Sequence, residues 1–524
     1  MNDRQPDASR RDFLRGAAAA GLATTLGATG TAARGAALPL PEYERFDATG
    51  LAQQIRKGQI SALDALEAAL ARAEARSALN AIALRHDEPA RDTARQLSGL
   101  GRAERERRAA AAPLLGVPFA LKDLGLQMKG TVTTHGCAFF KDVVADHDST
   151  LVQRYRAAGL NIFAKTTSPE FGQTATTESR LFGPTRNPWQ PEHSSGGSSG
   201  GAAVAVASGI LPVAHASDGG GSIRIPASHC GLFGLKPSRG RVPMGPTALE
   251  GWMGLSVHNV ISRSVRDTAL LLQLTQGPEP GSRSGPMQPA SPEALMAAIA
   301  RPPRPLRIAL MEANPFGLPV HPDCLEAARK AARLCESLGH KVEPAALQLP
   351  VAEMFAGMGV LTATGMLSTV RAREKALGRR AREDEFEPLN WRSLQLASGY
   401  GAEQVFAARA VFDQVGRTLD LFFGEHDLIL SPVTAAPAPK LGALSLDQPY
   451  EDFVKAAVMA SPFTALFNMS GHPAMSVPLH WNGAGLPVGA QFAAPFGAED
   501  RLLALAAQLE QAAPWSQRRP APAL

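Results

Sequence analysis

The sequence predicts an α/β layer fold built on a largely buried sheet. Two observations predict it. From residue 113 onward, short apolar runs alternate with stretches of helical periodicity: residues 114–121 read as a strand, 149–158 as a helix and 160–165 as a strand again. The composition, 45% apolar and 19% charged with few aromatics and abundant Ala and Gly, fits a soluble globular chain with close-packed helices.

The chain opens on a segment that stands apart from this pattern. Residues 9–14 read SRRDFL, followed by a weakly apolar Gly/Ala/Thr-rich stretch over 16–33 and small residues over 33–37. These are the three parts of a secretory signal carrying an arginine pair. Residues 1–37 are therefore expected to be a twin-arginine signal peptide, with the twin-arginine export machinery as a partner and a periplasmic or secreted location. The plainer reading is a flexible tail with a chance Arg-Arg. The apolar part is too short and glycine-rich for a good membrane span, and no other stretch is expected to reach spanning length, so stable membrane insertion is not expected.

Residues 38–524 are expected to form a single domain: N-terminal helices over 45–110, a catalytic core over 111–276, a connection over 277–305 and a C-terminal half over 306–515. Ser61-Ala-Leu-Asp64 has the form of a capping box, and Leu63, Leu66, Leu70 and Ala73 then recur at helical spacing, so two helices are expected ahead of the core. Pro, Gly and Ser make 277–305 a long surface connection, after which 306–311 reads as a strand and 322–338 as a helix. Near the end, 427–431, 474–478 and 488–492 read as buried strands and 499–510 as a closing helix. No internal repeat is visible.

Charge and cysteine usage exclude several functions. The formal charge of +5 falls to about +3 without residues 1–37, which hold five Arg and three Asp, too mild a bias for nucleic-acid binding. The run RAERERR over 102–108 mixes signs at helical spacing and reads as a solvated face. Cys137, Cys230, Cys324 and Cys335 form no CxxC pair and no Cys/His cluster, so neither a metal nor a disulfide scaffold is expected.

The chemistry concentrates in two glycine-serine clusters, SSGGSSGGAAVAVASG over 194–209 and SDGGGSIRIPASHCGLFGLKP over 217–237. Gly costs roughly 0.5–1 kcal/mol relative to Ala inside a helix, so four glycines in 196–201 mark a loop with unusual backbone angles. Gly219-Gly220-Gly221 ahead of Ser222 would let backbone N–H groups converge beside a hydroxyl, as an oxyanion hole requires. A serine nucleophile needs a base. Two overlapping GxSxG matches over 196–201 would call for a later His, with His472 in the right chain order, but that reading leaves the second cluster unused. The other base is Lys122 in GVPFALKD (116–123), at the end of an apolar strand where desolvation favours the neutral amine. Neutralising a lysine at pH 7 costs roughly 4–5 kcal/mol, which burial must supply. Taken alone, Lys122 reads as a surface lysine paired with Asp123.

GVPFALKD, GGSSGG and SDGGGSIRIPASHCGLFGLKPSRGRV resemble, in order and spacing, the motifs of the amidase signature family, as do KTTSPEF (165–171), FTALFNMSGHPAMSVP (463–478) and GLPVGAQF (485–492). The resemblance covers roughly residues 45–515 and implies the family's fold, a large mixed twisted sheet with helices on both faces. It implies Ser222 as nucleophile, Ser198 as the relay serine after a cis peptide bond, and Lys122 as base. It further implies Gly219, Gly220 and Gly221 as oxyanion donors and Ser199 as a supporting hydroxyl. Ser217 keeps a hydroxyl where the family carries Thr, and Asp218 and Arg224 read as loop scaffold held by hydrogen bonds, with a direct substrate role for Arg224 as the alternative; the mechanism needs neither cofactor nor metal. Where the family carries another residue this chain has Gly219, and the extra glycine is expected to loosen the hole.

The reaction so implied is hydrolysis of a small-molecule amide through an acyl-enzyme, by a monomer or homodimer. TRNPW (185–189), PVAH (212–215) and the terminal stretch around Trp515 are similar to the 6-aminohexanoate cyclic-dimer hydrolase branch. Alternatives on the same scaffold are an esterase, a glutamyl-tRNA amidotransferase A-like subunit, and a non-catalytic periplasmic binding protein.

Overall fold

Ser61 Oγ accepts the Asp64 amide at 2.9 Å and the Asp64 carboxylate returns the bond, so the expected capping box starts the helix Ala62–Ala75. The computed structural model describes residues 40–282 and 293–521, which fall in one compact unit spanning 38–524; the expected leader lies outside the described residues. Ahead of the core stand not two helices but four of ten or more residues, Ala48–Lys57, Ala62–Ala75, Asp87–Ser98 and Arg102–Ala111, with a short strand between. The last two bury only Ala90, Ala94 and Ala109, so their apolar stripe is too thin to read as periodicity. On Arg102–Ala111 the mixed charges pair along the exposed face, Glu104 with Arg107 and Arg108.

Strands β1 (Ile82–Arg85), β2 (Pro118–Lys122) and β3 (Asn161–Thr166) form a three-stranded sheet in the order β1-β3-β2. A larger mixed sheet contains β4 (Val213–Asp218), β5 (Phe233–Lys236), β6 (Val257–Ser262), β7 (Arg307–Leu310), β8 (Lys341–Pro344), β9 (Leu428–Pro432), β10 (Ala474–Trp481) and β11 (Pro487–Ala493). Its order is β8-β7-β9-β11-β10-β5-β6-β4. β7 runs parallel to both β8 and β9, and the other pairings are antiparallel. The α/β class thus holds, but the strand that ends in Lys122 belongs to the smaller sheet. It lies beside β4, and at that join the Lys122 amide donates to the ring of His215 at 3.0 Å.

The expected elements fall within a few residues of their places: Thr150–Ala157, Pro322–Ser337 and Glu499–Ala512 are helices, and β9, β10 and β11 are buried strands. Two further expectations need correction. The connection over 277–305 contains a helix, Ala294–Ala298, whose Leu295 is buried where it meets the helices Val265–Thr275 and Glu499–Ala512. The helix Val351–Leu377 is long and apolar enough by length and composition to cross a membrane, contrary to the expectation that no such stretch exists. Its apolar residues have another use here, since it packs against the helix Ala402–Phe422 and walls the cleft described below. All four cysteines are buried and unpaired.

Candidate active site

β2 delivers Lys122 into the protein interior, where the side chain is 0% exposed. Its Nζ lies 2.7 Å from Ser198 Oγ and 3.1 Å from Ser217 Oγ. Asp123 faces elsewhere, with both its carboxylate oxygens accepting from Thr134, so the surface-pair reading fails. Burial drives the Lys122 ammonium down to about 7, against the opposing pull of the Asp218 charge. At neutral pH a substantial fraction is therefore a free amine that can accept a proton.

Ser198 sits in a loop that only glycine permits. The Gly197–Ser198 peptide is cis, as the family resemblance implied, and a side chain on Gly197 would run into the backbone of Thr176. Behind it, Ser199 Oγ donates to the Ser217 carbonyl at 3.0 Å and accepts the Ser217 amide at 3.3 Å, tying the first serine cluster to the end of β4.

The second cluster leaves β4 at Asp218. Arg224 grips that carboxylate through Nε and Nη2, both at 2.9 Å, and both side chains are wholly buried. Burial by itself would raise the Asp218 carboxyl; the guanidinium, helped by Lys236 and Asn468, holds it well below the usual carboxylate range. Arg224 also donates to the Thr464 carbonyl, Gln491 and Asn468, which leaves it as scaffold with no access to a substrate.

One expected oxyanion donor is corrected. The peptide between Gly220 and Gly221 is clamped at both ends: Thr464 Oγ1 donates to the Gly220 carbonyl at 2.7 Å, and the Gly221 amide donates to Asp218 Oδ1 at 2.7 Å. Gly221 therefore serves the loop, at a φ of 134° that disfavours other residues, and its amide is occupied. The amides of Gly219, Gly220 and Ser222 have no partner among the described residues.

Gly219 does not loosen this loop. The Trp252 indole lies over it, in the space a side chain would occupy. Ser222 Oγ makes no hydrogen bond among the described residues and opens onto two adjoining cavities. One, of about 570 Å³, is also lined by Ser198, Ser217, Gly219 and His258. The other, of about 190 Å³, is lined by Gly220, Ile225, Met358 and Phe453, and Trp252 borders both.

Thus Lys122, Ser198, Ser199, Ser217, Gly219, Gly220 and Ser222 come together as expected, with Asp218 and Arg224 beneath them. His472 does not join them; its ring pairs with Asp420 and stacks on Phe423. Sequence reasoning missed Trp252, His258 and the clamping role of Thr464. Thr464 lies in a stretch already marked by the family motifs, whereas nothing in the local sequence marks Trp252 or His258.

Comparison with known proteins agrees with this geometry. Residues 64–503 match the family profile described as Amidase. The chain is 35% identical over 491 residues to the 6-aminohexanoate-cyclic-dimer hydrolase of Paenarthrobacter ureafaciens, covering 90% of this chain and 96% of that protein. A solved structure of 6-aminohexanoate cyclic dimer hydrolase superposes with a TM-score of 0.83 at 34% identity, over 91% of this chain and 99% of the other. A bacterial aryl acylamidase of the amidase signature family superposes with a TM-score of 0.80 at 29% identity, over 90% and 97% of the two chains. Matched by the family profile over residues 64–503 and by relatives along nearly their whole length, this chain belongs to the amidase signature family of amide-bond hydrolases.

Proposed function

We propose that the chain hydrolyses small linear or cyclic amides through an acyl-enzyme on Ser222, with Ser198 and neutral Lys122 moving the proton. The observation that carries this reading is the Lys122 amine, fully buried and 2.7 Å from Ser198 Oγ, which itself lines the same cleft as Ser222. Ser222 Oγ adds to the amide carbonyl as its proton passes to Ser198 and the Ser198 proton passes to Lys122. The oxyanion takes the amides of Gly219, Gly220 and Ser222. On collapse the C–N bond breaks, and the relay in reverse returns the proton to the leaving nitrogen. Water then adds to the acyl carbon by the same relay and frees the acid.

The substrate reading follows the relatives. Cyclic diamides are the first compounds to assay, because the similar Paenarthrobacter ureafaciens protein is named for a cyclic-dimer hydrolase and is matched over 96% of its length. The test is fluorophosphonate labelling of the folded protein followed by peptide mapping, with turnover measured on linear amides, cyclic lactam oligomers and esters. Label on Ser222 and amide turnover are expected; a folded protein that takes no label overturns the reading.

We also propose that the Arg10-Arg11 pair, followed by the weakly apolar stretch over 16–33, directs export through the twin-arginine route. Replacing both arginines by lysine is expected to leave the enzyme in the cytoplasmic fraction of an expressing bacterium; unchanged export overturns this.

A further inference from the structure

The Lys122 amide fixes the protons on two histidine rings. It donates to His215 Nδ1 at 3.0 Å, and a ring nitrogen that accepts from an amide carries no hydrogen, so His215 holds its proton on Nε2. His215 Nε2 lies 3.0 Å from His258 Nδ1, so His215 donates there and His258 Nδ1 is the bare nitrogen. An imidazole with one bare nitrogen carries its proton on the other. His258 Nε2 is therefore an N–H donor, and geometry alone requires it.

Both rings are also held neutral. Burial is the main cause for each, pushing His215 well below the ordinary histidine range and His258 to about 3, and the nearby Lys122 charge lowers both further. A second proton on either ring would break the chain of bonds just described.

The ring that carries this donor lines the cleft of the candidate site. His258 lines the cleft that holds Ser198, Ser217 and Ser222, and its Nε2 has no hydrogen-bond partner among the described residues. In the β4–β6 register His258 lies directly opposite Ser217, whose hydroxyl contacts the Lys122 amine. A side chain on Gly125 would come within 3.4 Å of His258 Cε1 and 3.8 Å of Nε2, so the glycine leaves the approach to the ring open. A neutral N–H on a cleft wall can donate to a carbonyl oxygen and offers nothing to an ammonium group.

We propose that His258 Nε2–H is a substrate-recognition donor for a second carbonyl oxygen, remote from the bond that breaks, and that His215 is the positioning residue that fixes its tautomer. The proposal rests on the amidase reading and adds a substrate class to it: amides carrying a second, uncharged carbonyl are favoured over monoamides of the same length.

The test uses the full chain with a diamide and a matched monoamide in which a methylene replaces the second carbonyl. His258→Phe is expected to reduce the preference for the diamide by about 10- to 100-fold, chiefly through KM, and His258→Gln, which keeps an N–H near the Nε2 position, to restore part of it. Equal losses on both substrates, or an unchanged preference, overturn the proposal. Failure of the amidase reading shows differently, as a wild-type protein that neither takes a fluorophosphonate at Ser222 nor turns over either compound. Should the Phe variant not fold, nitrogen-15 histidine spectra of the wild type decide. Expected is an Nε2–H tautomer at His258 whose resonance moves on adding the diamide and not the methylene analogue; an Nδ1–H tautomer, or a resonance that stays put, overturns the assignment.

Discussion

The Trp252 indole stands in the space that a side chain on Gly219 would need: an ideal Cβ there would lie 2.5 Å from the ring. The same indole closes on Gly365 of the helix Val351–Leu377, where a Cβ would meet it at 2.8 Å. The Gly219–Ser222 loop, the indole and the helix wall are therefore one packed unit, and Trp252 lines both cavities that meet at Ser222.

This packing sets the outcome of Gly219→Ala. Overpacking of this kind costs about 1–3 kcal/mol and displaces what it strikes, so the variant is expected to lower kcat at least tenfold and reduce thermal stability. Adding Trp252→Ala removes the clash as well as the packing, so the combined loss should be smaller than the sum of the two single losses. Additive losses in the double variant, measured by thermal unfolding, would show that the two residues are not in contact.

Ser222→Ala and Lys122→Met are each expected to lower kcat/KM by about a thousandfold or more, and the double variant to be no worse than either single one, because groups of one relay fail together. Kinetics on a single amide substrate checks this. Losses that multiply would argue for two independent roles.

The lysine also sets the pH response. With its amine at about 7, kcat/KM should fall roughly tenfold per pH unit below that value as the base is protonated, and level off above it. Stability follows the same group. Between about 7 and the ordinary lysine value of 10.5 the unfolded chain holds a proton that the folded chain has lost, so this group makes stability rise with pH across that window. Below about 7 both states are protonated and the full penalty of burying the charge is present. Lys122→Met should accordingly unfold at a higher temperature than the wild type at pH 6, with the gap closing by pH 10.

Arg224→Met leaves the Asp218 carboxylate buried without its partner, which costs about 3–5 kcal/mol. Activity should fall because the Gly221 and Ile223 amides hang on that carboxylate at 2.7 and 3.1 Å. Unfolding measurements separate this from a substrate role: a variant with normal stability and lost affinity would place Arg224 in binding.

The glycine-serine loops were legible without a structure because their composition departs so far from helix or strand interior that few other conformations remain open to them, whereas Lys122 was legible only through the family resemblance, since alone it reads as a surface lysine paired with Asp123. The capping box at Ser61 and the buried strands from residue 427 onward were legible for the same reason, since local patterns dictate local structure. The helix Asp87–Ser98 escaped notice because alanine alone made its buried stripe, and Arg102–Ala111 showed in the sequence only as charges at helical spacing because it buries a single alanine.

Sequence by itself determined the α/β class, the family, and which serines and lysine to watch, because these depend on residue types at short spacings along the chain. Only the tertiary structure decided which amides of the Gly219–Ser222 loop lack a partner, that Trp252 fills the place opened by Gly219, and that His258 lines the cleft. Those outcomes depend on groups as far apart in the chain as Gly220 and Thr464, or Lys122 and His215, and the direction of a hydrogen bond between them is fixed only when folding sets them face to face.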